Sequence, residues 1–305
     1  DRSSDPKRLG LPLFLGLAWS ASIGGVGTPV GTPPNPLLLA ELTRRGTPWG
    51  FAEWMMMGVP VVLVLVPLAW LLLCRGGRLQ GVTVPLTELR PWQVQEKRAL
   101  YLFGVTILLW VTRTVPGGGW GGALGLDNVG DHTIALGMVV AAFVWPDGRG
   151  GVLLDWETAS RIPWGLLLLF AGGIALGDSF RTSGLDKVIA TSLAQLGDLP
   201  LPLMVLAITL VIIFVSEVAS NTATAALLMP ILGTAAVTAG DDPQLWLVPA
   251  GFAASTAFMM PVGTAPNAIV IGTGYVRAIE MVREGFALNL ISAVVITAAT
   301  VLRWG

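Results

Sequence analysis

The chain has 305 residues, 53% of them hydrophobic and 12% charged, against about 25% charged in a soluble globular domain. A net charge of −1 leaves no basic field to hold a nucleic-acid backbone, so nucleic acid is excluded as the main partner. One cysteine, Cys74, and one histidine, His132, exclude an internal disulfide and a Cys/His zinc cluster. Thirty-eight glycines and 21 prolines sit within apolar stretches, which membrane helices accept and soluble ones do not. The class is an all-α integral membrane protein, multi-pass in a lipid bilayer.

Residues 1–7 are polar, lack a starting Met and run straight into an apolar segment from Leu9, so no cleavable signal is visible and the sequence reads as truncated at its front. A bilayer core of about 30 Å needs ~20 helical residues. Residues 51–74 are the clearest span. Residues 86–100 mix Glu88, Arg90, Glu96, Lys97 and Arg98 with apolar side chains and read as an interfacial amphipathic helix. A span over 100–115 follows, then a glycine-rich external loop at 117–122 that lacks the Gly-Lys-Ser/Thr ending of a phosphate loop. His132 opens a span over 133–145 and is assigned to solvating its end; 152–164 reads as a second interfacial helix and 163–176 as a further span. Residues 201–240 and 245–276 are apolar for longer than one crossing and are interrupted midway; 286–302 is the last span. With 201–240 entering and returning on one side, twelve of the eighteen Lys and Arg fall on one face and five on the other. The richer face is then cytoplasmic and the C-terminus outside.

An internal repeat is the most informative feature. Pro29-Val30-Gly31-Thr32-Pro33-Pro34-Asn35 returns as Pro261-Val262-Gly263-Thr264-Ala265-Pro266-Asn267. Each copy is followed by an apolar segment and then Gly-Phe-Ala, at 50–52 and 285–287. An odd number of crossings separates the copies, so they run oppositely through the bilayer, the inverted-repeat plan of secondary transporters. Proline and glycine at membrane depth interrupt the helical ladder. Freed carbonyls suit a cation and the N–H groups opening the next half-helix suit an anion. Asn35 and Asn267 fit as caps, with Pro36 in a first helical position; simple proline kinks are the plainer alternative.

A second constellation, Ser216-Glu217-Val218-Ala219-Ser220-Asn221-Thr222-Ala223-Thr224, is polar between two apolar flanks. Such a tip needs bonded partners. Ser220 or Asn221 can cap a helix beginning near Ala223, while interhelical Ser/Thr bonding is the structural alternative. Glu217 reads as an acceptor for hairpin N–H groups, with proton carriage the other option.

These residues resemble the divalent anion/sodium symporters, which carry dicarboxylates, citrate or sulfate. Members have two Ser-Asn-Thr tips on re-entrant hairpins and two Gly-Thr-Pro-Pro-Asn-like breaks in unwound helices; this sequence shows one tip and both breaks. The resemblance covers essentially the whole chain, including Trp164-Gly165 and Gly172-Gly173. It implies a first transport part over 1–75, with a broken helix over about 9–45, scaffold spans and arm helices over 76–198, and a second transport part over 199–305. Two departures stand out. The partner of Ser220 falls before Asp1, leaving the N-terminal repeat incomplete, and Ala265 stands where proline is expected.

The resemblance further implies that Asn221, Thr222, Thr32 and Thr264 contact a substrate carboxylate. Ser216, Asn221 and Gly263 would form one sodium site and Gly31 part of another, with hard oxygen ligands for a hard cation. The implied activity is sodium-coupled transport of a C4-dicarboxylate such as succinate or malate by an elevator motion in a homodimer, in a bacterial-type inner or plasma membrane. No cofactor is expected beyond the coupling sodium. A proton-coupled or sodium-independent exchanger for sulfate or citrate, and a fragment unable to transport, remain alternatives. No Gly-x-Ser-x-Gly, His-Glu-x-x-His or intramembrane Asp pair supports an enzyme.

Overall fold

A computed structural model describes residues 6–75, 90–114, 119–126, 128–162, 164–261 and 263–305. Expectations resting on 86–89, 117–118, Pro163 and Val262 lie outside the described residues. The helices in chain order are α1 (Pro6–Val26), α2 (Pro34–Arg44), α3 (Phe51–Cys74), α4 (Val94–Arg113), α5 (Gly119–Ala123), α6 (Asp131–Val144) and α7 (Trp156–Ala159). They continue as α8 (Trp164–Ser183), α9 (Leu185–Leu193), α10 (Leu201–Val218), α11 (Asn221–Ala239), α12 (Pro243–Ala254), α13 (Ala265–Gly272) and α14 (Ala278–Trp304). A 3-10 turn, Ala194–Asp198, follows α9. No named strand occurs among the described residues.

By length and composition α3, α10, α11 and α14 can each cross a membrane. Both halves of the interrupted region 201–240 are thus full-length helices, α10 of 18 and α11 of 19 residues, joined through Ala219 and Ser220. Prolines remain inside α1, α3, α11 and α12, as apolar surroundings allow when neighbours satisfy the freed groups.

The chain divides into two compact units. The first holds residues 1–49, 54–83 and 168–305. Its centre is α12, buried at every position from Trp246 to Ala254, with the limbs α10 and α11 both packed on it. Trp19, Trp54, Trp246, Phe252 and Phe258 are the largest fully buried side chains there. Two glycines set the close approaches. A Cβ on Gly58 of α3 would lie 2.6 Å from the Val26 carbonyl oxygen that closes α1. A Cβ on Gly285 of α14 would collide with the carbonyl of Phe258, the residue 232 positions beyond Val26.

The second unit, residues 50–53 and 84–167, packs α4 on α5 and α6. Arg113 pairs with Asp131 at 2.8 Å and Phe51 stacks on Trp110. Two interfacial helices expected from sequence are corrected here. Residues 90–93 are not helical and 94–100 are the first turns of the long helix α4; within 152–164 the helix is the single turn α7. The charged residues at 96–98 occupy the start of this 20-residue helix, where a polar first turn and an apolar continuation mimic an amphipathic pattern. The glycine-rich stretch is partly helical, as α5. Beyond α6, Asp147 takes the backbone N–H groups of Arg149 and Gly151, which hold its carboxyl below the usual carboxylate range.

Candidate functional site

Both repeats open into non-helical segments, residues 27–33 between α1 and α2 and, among the described residues, 255–261 and 263–264 between α12 and α13. They are built alike. Asn35 donates from Nδ2 to the carbonyls of Gly25 at 3.0 Å and Thr28 at 2.7 Å. Asn267 donates to those of Ala257 at 3.2 Å and Met260 at 3.1 Å. Gly31 N donates to Thr28 O and Gly263 N to Met260 O. Each of these pairs is related by the offset of 232. The asparagines are therefore clasps across the gap, not the helix caps expected from sequence. Pro33 holds the N-cap of α2 without a side-chain bond, whereas Thr264 caps α13 by accepting from Asn267 N at 3.3 Å. Pro36 is the third residue of α2, and Ala265 opens α13 with Pro266 behind it. The missing proline of that copy costs no hydrogen bond, because a first-turn N–H has no helical partner anyway.

The two gaps meet. Thr32 Oγ1 lies 2.7 Å from Ser255 Oγ, the C-cap residue of α12, and also donates to Asn35 Oδ1 at 2.9 Å. The half-helices pack crosswise, α1 beside α13 and α2 beside α12. At the hairpin tip α11 begins at Asn221, earlier than the expected Ala223, with Ser220 at the N-cap making no side-chain bond. The opening N–H groups of α11 are left without a side-chain cap, whereas α2 opens on Pro34 and Pro36, which have no N–H, and on Asn35, whose N–H donates to Thr32 O.

Glu217 is 4% exposed and joins the tip to the second gap. Its Oε1 accepts from Phe258 N at 2.7 Å, Met259 N at 2.9 Å and Asn289 Nδ2 at 2.6 Å, and its Oε2 from Met260 N at 2.7 Å. It is an acceptor, as expected, but for the broken helix and not for its own hairpin. Asn289 completes the set by accepting from Phe258 N; sequence reading missed it, a lone amide among apolar residues of the last helix.

Of the residues singled out from sequence, Ser216 and Gly263 come together. The Ser216 backbone oxygen lies 3.3 Å from where a Cβ on Gly263 would stand, while the Ser216 hydroxyl donates to Ile212 O. Thr222 is buried; Thr264 is half-buried; Gly31 packs on Gly25 within its own gap. Three buried oxygens in this region have no hydrogen-bond partner: Asn221 Oδ1, Thr224 Oγ1 and Asn267 Oδ1. Amide, hydroxyl and carbonyl oxygens suit a hard monovalent cation, and uncapped helix N-termini suit an anion. No cluster of His, Cys, Asp and Glu able to hold a metal occurs among the described residues.

The model of the sodium:sulfate symporter transmembrane region matches residues 1–305. The chain belongs to that family. It is also 38% identical over 299 residues to the sodium-dependent dicarboxylate transporters SdcS of Staphylococcus saprophyticus and Staphylococcus aureus. The alignment covers 93% of this chain and 57% of each relative, so the chain spans little more than half the length of the curated relatives it matches. Family and relatives alike are transporters, not enzymes. As a symporter-family chain with these apolar helices, it is a multi-pass membrane protein.

Proposed function

We propose that the protein moves a divalent anion, most simply a C4-dicarboxylate such as succinate or malate, across the membrane together with sodium. The observation that carries this reading is the crossed pairing of two broken helices whose gaps share one hydrogen-bond pattern. A pair running in the same direction would set α1 beside α12; α1 beside α13 is the antiparallel arrangement of an inverted repeat, and such repeats hold solute at their interface. The naming of the SdcS relatives favours a dicarboxylate and sodium.

In this reading Asn221, Thr222, Thr32 and Thr264 donate to a substrate carboxylate, aided by the opening N–H groups of α11. Sodium is held by Asn221 Oδ1, the Gly263 carbonyl and the Ser216 backbone oxygen, with Gly31 serving a second ion. Neutral donors bind a dianion weakly enough to release it, and sodium balances the charge. The body carrying both gaps and the hairpin moves past a scaffold as an elevator, in a homodimer, with residues 1–75 and 199–305 in the moving part. Sulfate is the second reading, since the family description names it and the same donors fit a tetrahedral dianion.

The test is uptake of labelled succinate into proteoliposomes with and without a sodium gradient, using the protein at its natural length. Uptake should require sodium, and Asn221→Ala should abolish it at every succinate concentration. Sodium-independent succinate uptake, or a wild-type rate in the variant, would overturn the assignment; competition by excess sulfate separates the two anions.

A further inference from the structure

The helices α2 and α11 run side by side in the same direction. Leu37 and Ala226 both lie against Gly173 of α8, and eight residues further along each helix Arg45 meets Thr234. Each helix starts at a ligand-bearing segment, α2 at Thr32 and α11 at Asn221. From there to Arg45 or Thr234 is thirteen residues on either helix, about 20 Å at helical rise.

At that far end the Arg45 guanidinium is built into α11. Its Nε donates to Glu41 Oε1 at 2.7 Å, and its terminal nitrogen donates to the Pro230 carbonyl at 3.1 Å and to Thr234 Oγ1 at 3.2 Å. Gly233 leaves it room, since a Cβ there would overlap the guanidinium. The Thr234 hydroxyl, having accepted from Arg45, donates to Asp186 Oδ2 of α9 at 3.0 Å. Asp186 is 2% exposed and its other oxygen has no partner. On the other side Glu41 takes Arg44 at 2.6 Å, and Arg44 approaches Asp178 of α8 at 3.4 Å.

We propose that Arg45 and Thr234 are positioning residues: a clamp that holds the first broken helix and the hairpin limb at fixed spacing, so that Thr32 and Asn221 engage sodium and anion together. The proposal rests on the assignment of ligand contacts to those two residues. Partly buried bonds of a guanidinium are stronger and more directional than neutral ones, and helices fixed at one end move as a unit at the other. Thr234 is bonded to Arg45 and Asp186 and lies thirteen residues along α11 from Asn221, outside the proposed binding residues.

The experiment compares Thr234→Val, isosteric but unable to relay, with Thr234→Ser, which retains the hydroxyl, in sodium-titrated succinate uptake. Thr234→Val should raise the half-saturating sodium and succinate concentrations together by about threefold to tenfold, the range of one lost hydrogen bond, with the maximal rate retained. Thr234→Ser should restore both. Wild-type constants in Thr234→Val, or a shift that serine does not reverse, overturns the clamp. Should Thr234→Val not reach the membrane, Arg45→Lys, which keeps the charge opposite Glu41 but not the fork, must show the same paired shift or the proposal falls. Asn221→Ala in parallel separates the two failures: wild-type uptake there sinks the ligand assignment, whereas an unshifted Thr234→Val with a silent Asn221→Ala sinks the clamp alone.

Discussion

Glu217 carries four hydrogen bonds inside an apolar body, three of them from consecutive backbone N–H groups of the second gap. An ionised carboxylate suits this because it accepts at every lone pair and donates nothing. Glutamine in its place would turn an NH2 group toward at least one of those donors. Leaving a buried donor unpaired costs about 1–3 kcal/mol each, so Glu217→Gln should lower the thermal unfolding midpoint in detergent and raise the half-saturating sodium concentration. An unchanged midpoint would show that the gap does not depend on the carboxylate. The sequence exposes Glu217 as an unusual charge among apolar residues, and an acceptor role follows from that alone. Its partners were not legible, because they stand 41 to 43 residues away along the chain and only the folded hairpin brings them in. The clasps of Asn35 and Asn267 were misread for a similar reason. The side chain position next to a helix start suggests a cap, but the carbonyls they take lie seven and ten residues back, reachable only once the gap folds over.

At the scale of elements, the spans were legible wherever hydrophobicity and length agree. Residues 51–74 were assigned to the residue as α3, and both gaps fall at the repeated Pro and Gly. The polar start of α4 resembles an interfacial helix because composition over fifteen residues does not distinguish one from the polar first turn of a longer apolar helix. Glycine placement carries a sharper lesson. Gly58 lets α3 approach the last carbonyl of α1 and Gly285 lets α14 approach the Phe258 carbonyl within the second gap, whereas Gly24 of α1 faces open space. Overpacking a tight contact costs about 1–3 kcal/mol. Gly285→Ala should therefore lower the melting midpoint measurably, while Gly24→Ala should leave it near wild type; equal effects would mean that helix propensity, not contact, decides both.

For the whole molecule, orientation across the bilayer follows from the placement of charge. From the Lys and Arg distribution we propose that the C-terminus lies outside. With Cys74→Ser as background, Gly305→Cys should react with a membrane-impermeant maleimide added to intact cells, and labelling only after permeabilisation would reverse the orientation. The direction matters for the proposed sodium coupling, in which each net charge carried inward would draw about 2.3 kcal/mol from a 100 mV potential.

The carboxylate of Glu217 gives the second gap a tenant that never leaves. Its three backbone donors are occupied before any solute arrives, so the unwound stretch is a standing part of the architecture instead of a strained state awaiting rescue. On the proposed sodium-coupled reading, ions entering such a frame would meet ligands already in place, with little ordering entropy left to lose on binding. A carrier of that kind would keep its unwound stretch open when it returns empty.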